Sequence, residues 1–158
     1  MIDIIQLREE LIRPTLQSIR LWSLSAENLL VGTGLVESNF KYIKQKGGIA
    51  LSFWQIEPAT YTYLTHRVTH DREIRAVILN ALDAVEIPTD ENQLLGNMTL
   101  AIIVARLKYW YIPENLPEHD DIEGLSRYWG KYYQTESKPK AMDRFVNLYA
   151  KYGEHPVC

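Results

Sequence analysis

The run Leu29-Leu30-Val31-Gly32-Thr33-Gly34-Leu35-Val36 has almost no polar face, and Glu37 and Ser38 close it. A helix that is apolar all round has to be surrounded by protein. This segment therefore predicts a central helix with the other elements wrapped about it. Ser25 is its expected N-cap, since a serine hydroxyl can accept from an orphan amide of the first turn. Such a helix carries Glu37 to the end where the backbone dipole is negative, among Leu and Val neighbours. Both conditions disfavour the carboxylate and favour the protonated acid, the form that a general acid needs near neutral pH. The same position also fits a surface glutamate that merely ends the helix.

The remaining periodicity is helical almost throughout, so the expected class is mainly α. Ile4, Ile5, Leu7, Leu11 and Ile12 form a stripe over 2–12, and Pro14 either ends that helix or opens a second across Leu16, Ile19 and Trp22. Helices are expected over 59–67 and 72–85, the second starting near Asp71, with Thr89 or Asp90 capping the next helix. The longest pattern covers 91–111, with Leu94, Leu95, Met98, Ile102, Ala105 and Tyr109 at helical spacing. Leu125, Tyr128, Trp129 and Tyr132 align over 122–133, and a last helix is expected over 141–152. Between them, Lys41, Lys44 and Lys46 lead to Gly47-Gly48 and then to Pro58, the place for a small irregular or β-hairpin segment near residues 39–58. With no internal repeat, low-complexity tract or linker, residues 1–158 are expected to form a single domain.

Several function classes are disfavoured. A net charge of −3 gives no electrostatic footprint for nucleic acid. No apolar run approaches a membrane span, so stable membrane insertion is not expected. Met1-Ile2-Asp3-Ile4-Ile5-Gln6 lacks the basic start and long apolar stretch of a secretion signal, which predicts synthesis and retention in a cytoplasm unless another device carries the chain out. The single cysteine, Cys158, forms no internal disulfide or multi-cysteine zinc site, and as the last residue it makes a poor nucleophile. His66 and His70 are four apart and could share a helix face as ligands, but no His-Glu-x-x-His pattern accompanies them. Gly32-Thr33-Gly34 lies inside the helix without the strand that a phosphate loop requires, and no Gly-x-Ser-x-Gly elbow occurs. Neither a metal nor a cofactor is expected.

A second cluster lies at Phe53-Trp54-Gln55-Ile56-Glu57-Pro58. The Gln55 amide can donate and accept at once, which suits a sugar hydroxyl or amide, and Phe53 and Trp54 offer flat faces for stacking on sugar rings. Phe53-Trp54-Gln55-Ile56 also fits a buried strand edge. Glu57 would make a second carboxylate if it faced Glu37, but Pro58 directly after it favours a helix start with Glu57 as the cap.

Glu37-Ser38, a Gly-bearing loop, and then Gln55-Ile56-x-Pro58 with Thr60 resemble the lytic transglycosylases of the lysozyme-like superfamily. The chain is similar to the small versions carried by bacteriophages and prophages, and Ala105 to Tyr109, Pro113 to Pro117 and Tyr128 to Thr135 have the look of their later part. The chain departs from that pattern in carrying Ser52 where the family has glycine and Phe53-Trp54 where it has Leu-Met. The Ala-Tyr-Asn-Ala-Gly segment is absent as such, so that Tyr128 or Tyr132 would have to stand in for its tyrosine.

The resemblance implies a lysozyme-like helical domain that cleaves the bond between N-acetylmuramic acid and N-acetylglucosamine in peptidoglycan glycan strands, through Glu37 alone and without a cofactor. Ser38 would orient Glu37. Gln55, Trp54 and Phe53 would bind substrate, with Tyr128 or Tyr132 lining the cleft. It also implies synthesis in the cytoplasm of a bacterial host and action at the wall, after release or as a virion component beside other virion proteins. A catalytically inactive structural or wall-binding phage protein of the same fold is the alternative.

Overall fold

The computed structural model describes residues 1–133 and 139–154, so Thr135, His155 and Cys158 lie outside the described residues. The protein is mainly helical, as its periodicity predicts, and no regular strand occurs among the described residues. In chain order come α1 (Ile4–Gln6), a π-helical stretch (Leu7–Ile12), α2 (Arg13–Ser18), α3 (Leu24–Ser38), α4 (Pro58–Thr69), α5 (Arg72–Leu82), α6 (Gln93–Gly96), α7 (Met98–Trp110), α8 (Ile122–Tyr132), α9 (Pro139–Leu148) and a second π-helical stretch (Tyr149–Gly153). No helix among the described residues is long and apolar enough to cross a membrane.

The central helix is α3. Every residue from Ala26 to Val36 is buried, and α7, α8, α9 and both π-helical stretches pack around it. Its two glycines let aromatic rings approach the backbone. A Cβ on Gly32 would stand 2.1 Å from Cζ of Phe145, and one on Gly34 would stand 2.1 Å from Cζ of Phe40. Ser23, not Ser25, caps the helix: its hydroxyl accepts from the Ala26 amide at 3.0 Å.

The other boundaries shift for local reasons. Pro14 stands in the first turn of α2, which is the second of the two expected alternatives, but that helix ends at Ser18, short of Ile19 and Trp22. A π-helical turn precedes it, with the Arg13 amide bonded to the Arg8 carbonyl five residues back, so the chain passes the missing proline N–H without a break. The long pattern at 91–111 is two helices. Asn97 adopts an extended conformation and accepts from the Leu100 amide at 2.9 Å, which restarts the chain as α7. The last helix starts at Pro139, two residues before the expected 141. Asp71 caps α5 by accepting from the Ile74 amide at 3.4 Å.

Residues 39–57 form the compact irregular segment expected there. Two isolated antiparallel bridges, Lys44 to Leu51 and Leu51 to Ile56, fold it into a miniature hairpin. Paired backbone bonds close it, Leu51 to Ile56 at 2.8 Å and Ile56 to Leu51 at 2.7 Å.

A buried polar cluster joins the two ends of the chain to α3. Glu27, fully buried, accepts from Arg8 at 3.0 Å, from Arg13 through two bonds of 2.8 and 2.9 Å, and from the Trp22 indole at 2.8 Å. Arg8 also donates to Asn28 at 2.8 Å and to the Tyr149 hydroxyl at 2.9 Å. Burial alone would raise the Glu27 pKa, but the hydrogen bonds from Arg13, Trp22 and Arg8, with the charge of Arg8, outweigh it and hold the carboxyl below its ordinary value.

Candidate active site around Glu37

Glu37 is the penultimate residue of α3. The helix ends because Asn39 and then Phe40 take left-handed conformations, with φ of 54° and 47°. The Asn39 amide bonds back to the Leu35 carbonyl at 2.9 Å, closing the last turn. The turn swings Phe40 over Gly34 and leaves Glu37 half-buried at the helix end. Its Oε1 accepts from the Trp129 indole N–H at 3.0 Å.

Ser38 is buried and faces the hairpin rather than bulk solvent. Its hydroxyl lies 3.2 Å from the Gly34 carbonyl, as a helical serine does, and 2.7 Å from the Phe53 carbonyl. The Glu-Ser pair thus divides two tasks: Ser38 ties residues 52–55 to the helix, while Glu37 meets α8.

Ser52 and Gln55 both lie in the left-handed region, with φ of 68° and 50°. The Ser52 hydroxyl accepts from the Trp54 amide at 3.2 Å, and the Gln55 side-chain amide donates to the Ser52 carbonyl at 2.8 Å. Gln55 is half-buried and also reaches the Tyr42 carbonyl at 3.5 Å. Its amide nitrogen therefore holds the turn together.

Trp54 corrects an expectation. It is 0% exposed, with its indole N–H donating to the Leu30 carbonyl at 2.9 Å, so its faces are closed to a sugar ring. Phe53 is half-buried and meets the rings of Phe40 and Trp54 edge-on, with centroids 5.6 and 6.4 Å apart. Glu57 is exposed at the N-cap position of α4 but makes no side-chain cap bond, so the expected cap holds in position only.

The two tyrosines expected to line the cleft turn elsewhere. Tyr128 is buried and donates to the Glu114 carbonyl at 2.9 Å, and the Tyr132 hydroxyl bonds to the Glu114 carboxylate. Together they line a cavity of about 230 Å³ whose wall does not include Glu37. The aromatic residues that answer to Glu37 are Trp129, Tyr109 and Tyr133. Burial pushes both tyrosine hydroxyls well above their ordinary pKa. The negative charge of Glu37 adds to that rise, while a hydrogen bond with Thr33 opposes it at Tyr109. The Tyr133 hydroxyl donates to the Trp54 carbonyl at 2.5 Å, and Tyr109 pairs with Thr33 at 2.7 Å.

Lys108 completes the surroundings. Its ammonium donates to the Tyr133 carbonyl at 2.9 Å and stands 3.6 Å from the centroid of the Tyr133 ring. Burial lowers its pKa, and the charges of Glu37 and Glu57 pull the other way. No motif or spacing in the sequence marks Lys108, Tyr109, Trp129 and Tyr133 as site residues. The one signal available was a pair of basic residues, Arg106 and Lys108, inside the otherwise apolar 100–109 stretch.

His66 and His70 stand with ring centroids 4.5 Å apart, both exposed, and Nδ1 of His70 lies 2.8 Å from the His66 carbonyl. No group of three or more His, Cys, Asp or Glu converges as a metal site among the described residues. Comparison with family models, with curated proteins and with solved structures finds no match to this chain.

Proposed function

We propose that the protein cleaves peptidoglycan glycan strands at the bond between N-acetylmuramic acid and N-acetylglucosamine, with Glu37 as its single acid–base group. The observation that carries this is the seating of Glu37: half-buried at the end of a buried helix, with one carboxylate oxygen fixed by the Trp129 indole at 3.0 Å. The left-handed backbone of Ser52 supports the resemblance to lysozyme-like lytic transglycosylases, because a φ of 68° is a conformation that glycine adopts without strain, and glycine is the residue those proteins carry there. The folded-back hairpin after the helix fits the same lysozyme-like arrangement.

Glu37, as the acid, gives its proton to the glycosidic oxygen while the bond from that oxygen to C1 breaks. The carbonyl oxygen is the stronger acceptor of a protonated carboxyl, so the Trp129 bond to Oε1 favours placing the transferable proton on Oε2. The carboxylate so formed then takes the proton of the muramyl C6 hydroxyl as that oxygen bonds to C1, leaving a 1,6-anhydro sugar and the enzyme re-protonated. Attack by water at C1 gives the hydrolytic outcome with the same residue. Phe53 is the one aromatic of the 53–54 pair with surface left for substrate. A phage or prophage role at the host wall, with synthesis in the host cytoplasm, belongs to the same proposal.

The test is clearance of purified cell walls. Glu37→Gln, folded as judged by circular dichroism, is expected to abolish the loss of turbidity, and full clearance by that variant would refute the assignment.

A second reading, an inactive wall-binding protein of the same fold, is favoured by the burial of Trp54 and by the turning of the Gln55 amide onto its own loop. Co-sedimentation of wild-type protein with intact walls that yields no soluble product would support it.

A further inference from the structure

The segment between Glu37 and Glu57 contains Lys41, Lys44 and Lys46 and no acidic residue, in a chain whose net charge is −3. All three lysines are exposed, and none forms a salt bridge among the described residues. Two of them are gathered around one ring: the ammonium groups of Lys46 and Lys41 lie 4.4 and 5.5 Å from the centroid of Tyr42. The lysines alternate with large apolar side chains that face water. Ile43 is 46% exposed and Ile49, beside the Gly47-Gly48 tip, is 65% exposed. The tip is not loose, since the Gln45 amide bonds to the Ala50 carbonyl at 2.8 Å and the Ser52 amide to the Ile43 carbonyl at 2.7 Å.

We infer that this hairpin, residues 41–49, is a docking surface for an anionic lipid bilayer. The lysines are complementary in charge to phosphate headgroups. Two exposed isoleucines gain free energy where an apolar surface takes them out of water, which favours a lipid surface over a hydrated anionic polymer. The contact is peripheral, a few side chains entering the headgroup boundary. It does not rest on the cleavage reaction, because it uses the charge and exposure of the hairpin tip and not the Glu37 carboxylate.

The test is co-sedimentation of the full-length chain with vesicles of phosphatidylcholine alone and of phosphatidylcholine with phosphatidylglycerol. Binding is expected only to the second and should weaken as salt is raised, since the screening length falls to about 3 Å at 1 M. Replacing Lys41, Lys44 and Lys46 together by Gln should weaken it by roughly 100-fold, about fivefold per lysine. Replacing Ile43 and Ile49 by Ser should also weaken binding to the anionic vesicles. Equal binding to both vesicle types would overturn the inference, as would full binding by the lysine variant. So would retention on soluble polyphosphate that matches or exceeds binding to the anionic vesicles, which would make the partner a polymer. The salt and lipid comparisons use the unaltered chain, so they decide the matter even if a variant fails to fold.

Discussion

The indole N–H of Trp129 reaches Oε1 of Glu37 at 3.0 Å across 92 residues of sequence. The Trp129 ring, itself buried, lies 5.8 Å from that of Phe145, and Phe145 in turn presses on Gly32 of the helix that ends in Glu37. The carboxylate is therefore held from α8 and braced from α9, not only by the helix that delivers it. Trp129→Phe keeps an aromatic ring against Phe145 and removes the donor. The indole bonds a neutral acid before proton transfer and a carboxylate after it, and losing the bond to the charged form costs about 1.5–3 kcal/mol, so wall clearance should fall by about tenfold or more. The measurement is the clearance rate beside the urea midpoint. An unchanged rate in a folded variant would show that this bond does not position Glu37.

Gly32 and Gly34 should not tolerate a methyl group. In an exposed helix, Gly→Ala gains up to about 1 kcal/mol from helix propensity. Here each added Cβ would meet a buried phenylalanine ring at 2.1 Å. Gly32→Ala and Gly34→Ala are expected to lose about 1–3 kcal/mol by overpacking. Equilibrium denaturation measures this, and pairing each change with Phe145→Leu or Phe40→Leu should recover part of the loss.

The cluster around Glu27 predicts how the fold responds to acid. Its carboxyl is held below the ordinary carboxylate range in the folded protein, so its contribution to stability is complete above the unfolded pKa, about 4.3, and is lost as pH falls through the lower folded value. Glu27→Ala leaves Arg8 buried without its anion and should cost about 3–5 kcal/mol at neutral pH. Glu27→Gln should flatten the acid limb of a stability profile followed by denaturant midpoints from pH 7 downward. An unaltered acid limb would remove Glu27 as its source.

Ser38→Ala should act on the hairpin more than on the helix. It deletes the 2.7 Å bond to the Phe53 carbonyl and leaves that acceptor without its partner, at a cost of about 1–2 kcal/mol. Amide hydrogen exchange should show lost protection across residues 43–56, with α3 little changed. Uniform loss throughout the molecule would contradict this local role.

Much of the framework was legible because burial leaves a periodic trace. The apolar run before Glu37 identified α3, and Gly47-Gly48 with Pro58 marked the irregular segment after it. Boundaries were harder. Ser23 and Ser25 are chemically equivalent caps, and only the path of the chain selects Ser23. Leu94 and Leu100 are both buried, so the apolar pattern runs through the Asn97 break without a sign of it. The site depended on contacts with no spacing rule. Trp54 and Trp129 each follow another aromatic residue, Phe53 and Tyr128, and nothing local says that the first is spent on the Leu30 carbonyl while the second meets Glu37. Arg8 and Glu27 carry no local mark for the same reason: a buried ion pair joining the N-terminal helix to α3 leaves no periodicity in the sequence.

The most direct measurement of the central claim is mass spectrometry of the soluble products after purified peptidoglycan is incubated with the wild-type protein and with folded Glu37→Gln. Acid–base catalysis by Glu37 predicts muropeptides ending in 1,6-anhydro-N-acetylmuramic acid, or in its reducing form if water attacks, from the wild type and none from the variant. Cleaved glycan from Glu37→Gln at the wild-type rate, or no cleaved product from the wild type, would contradict it.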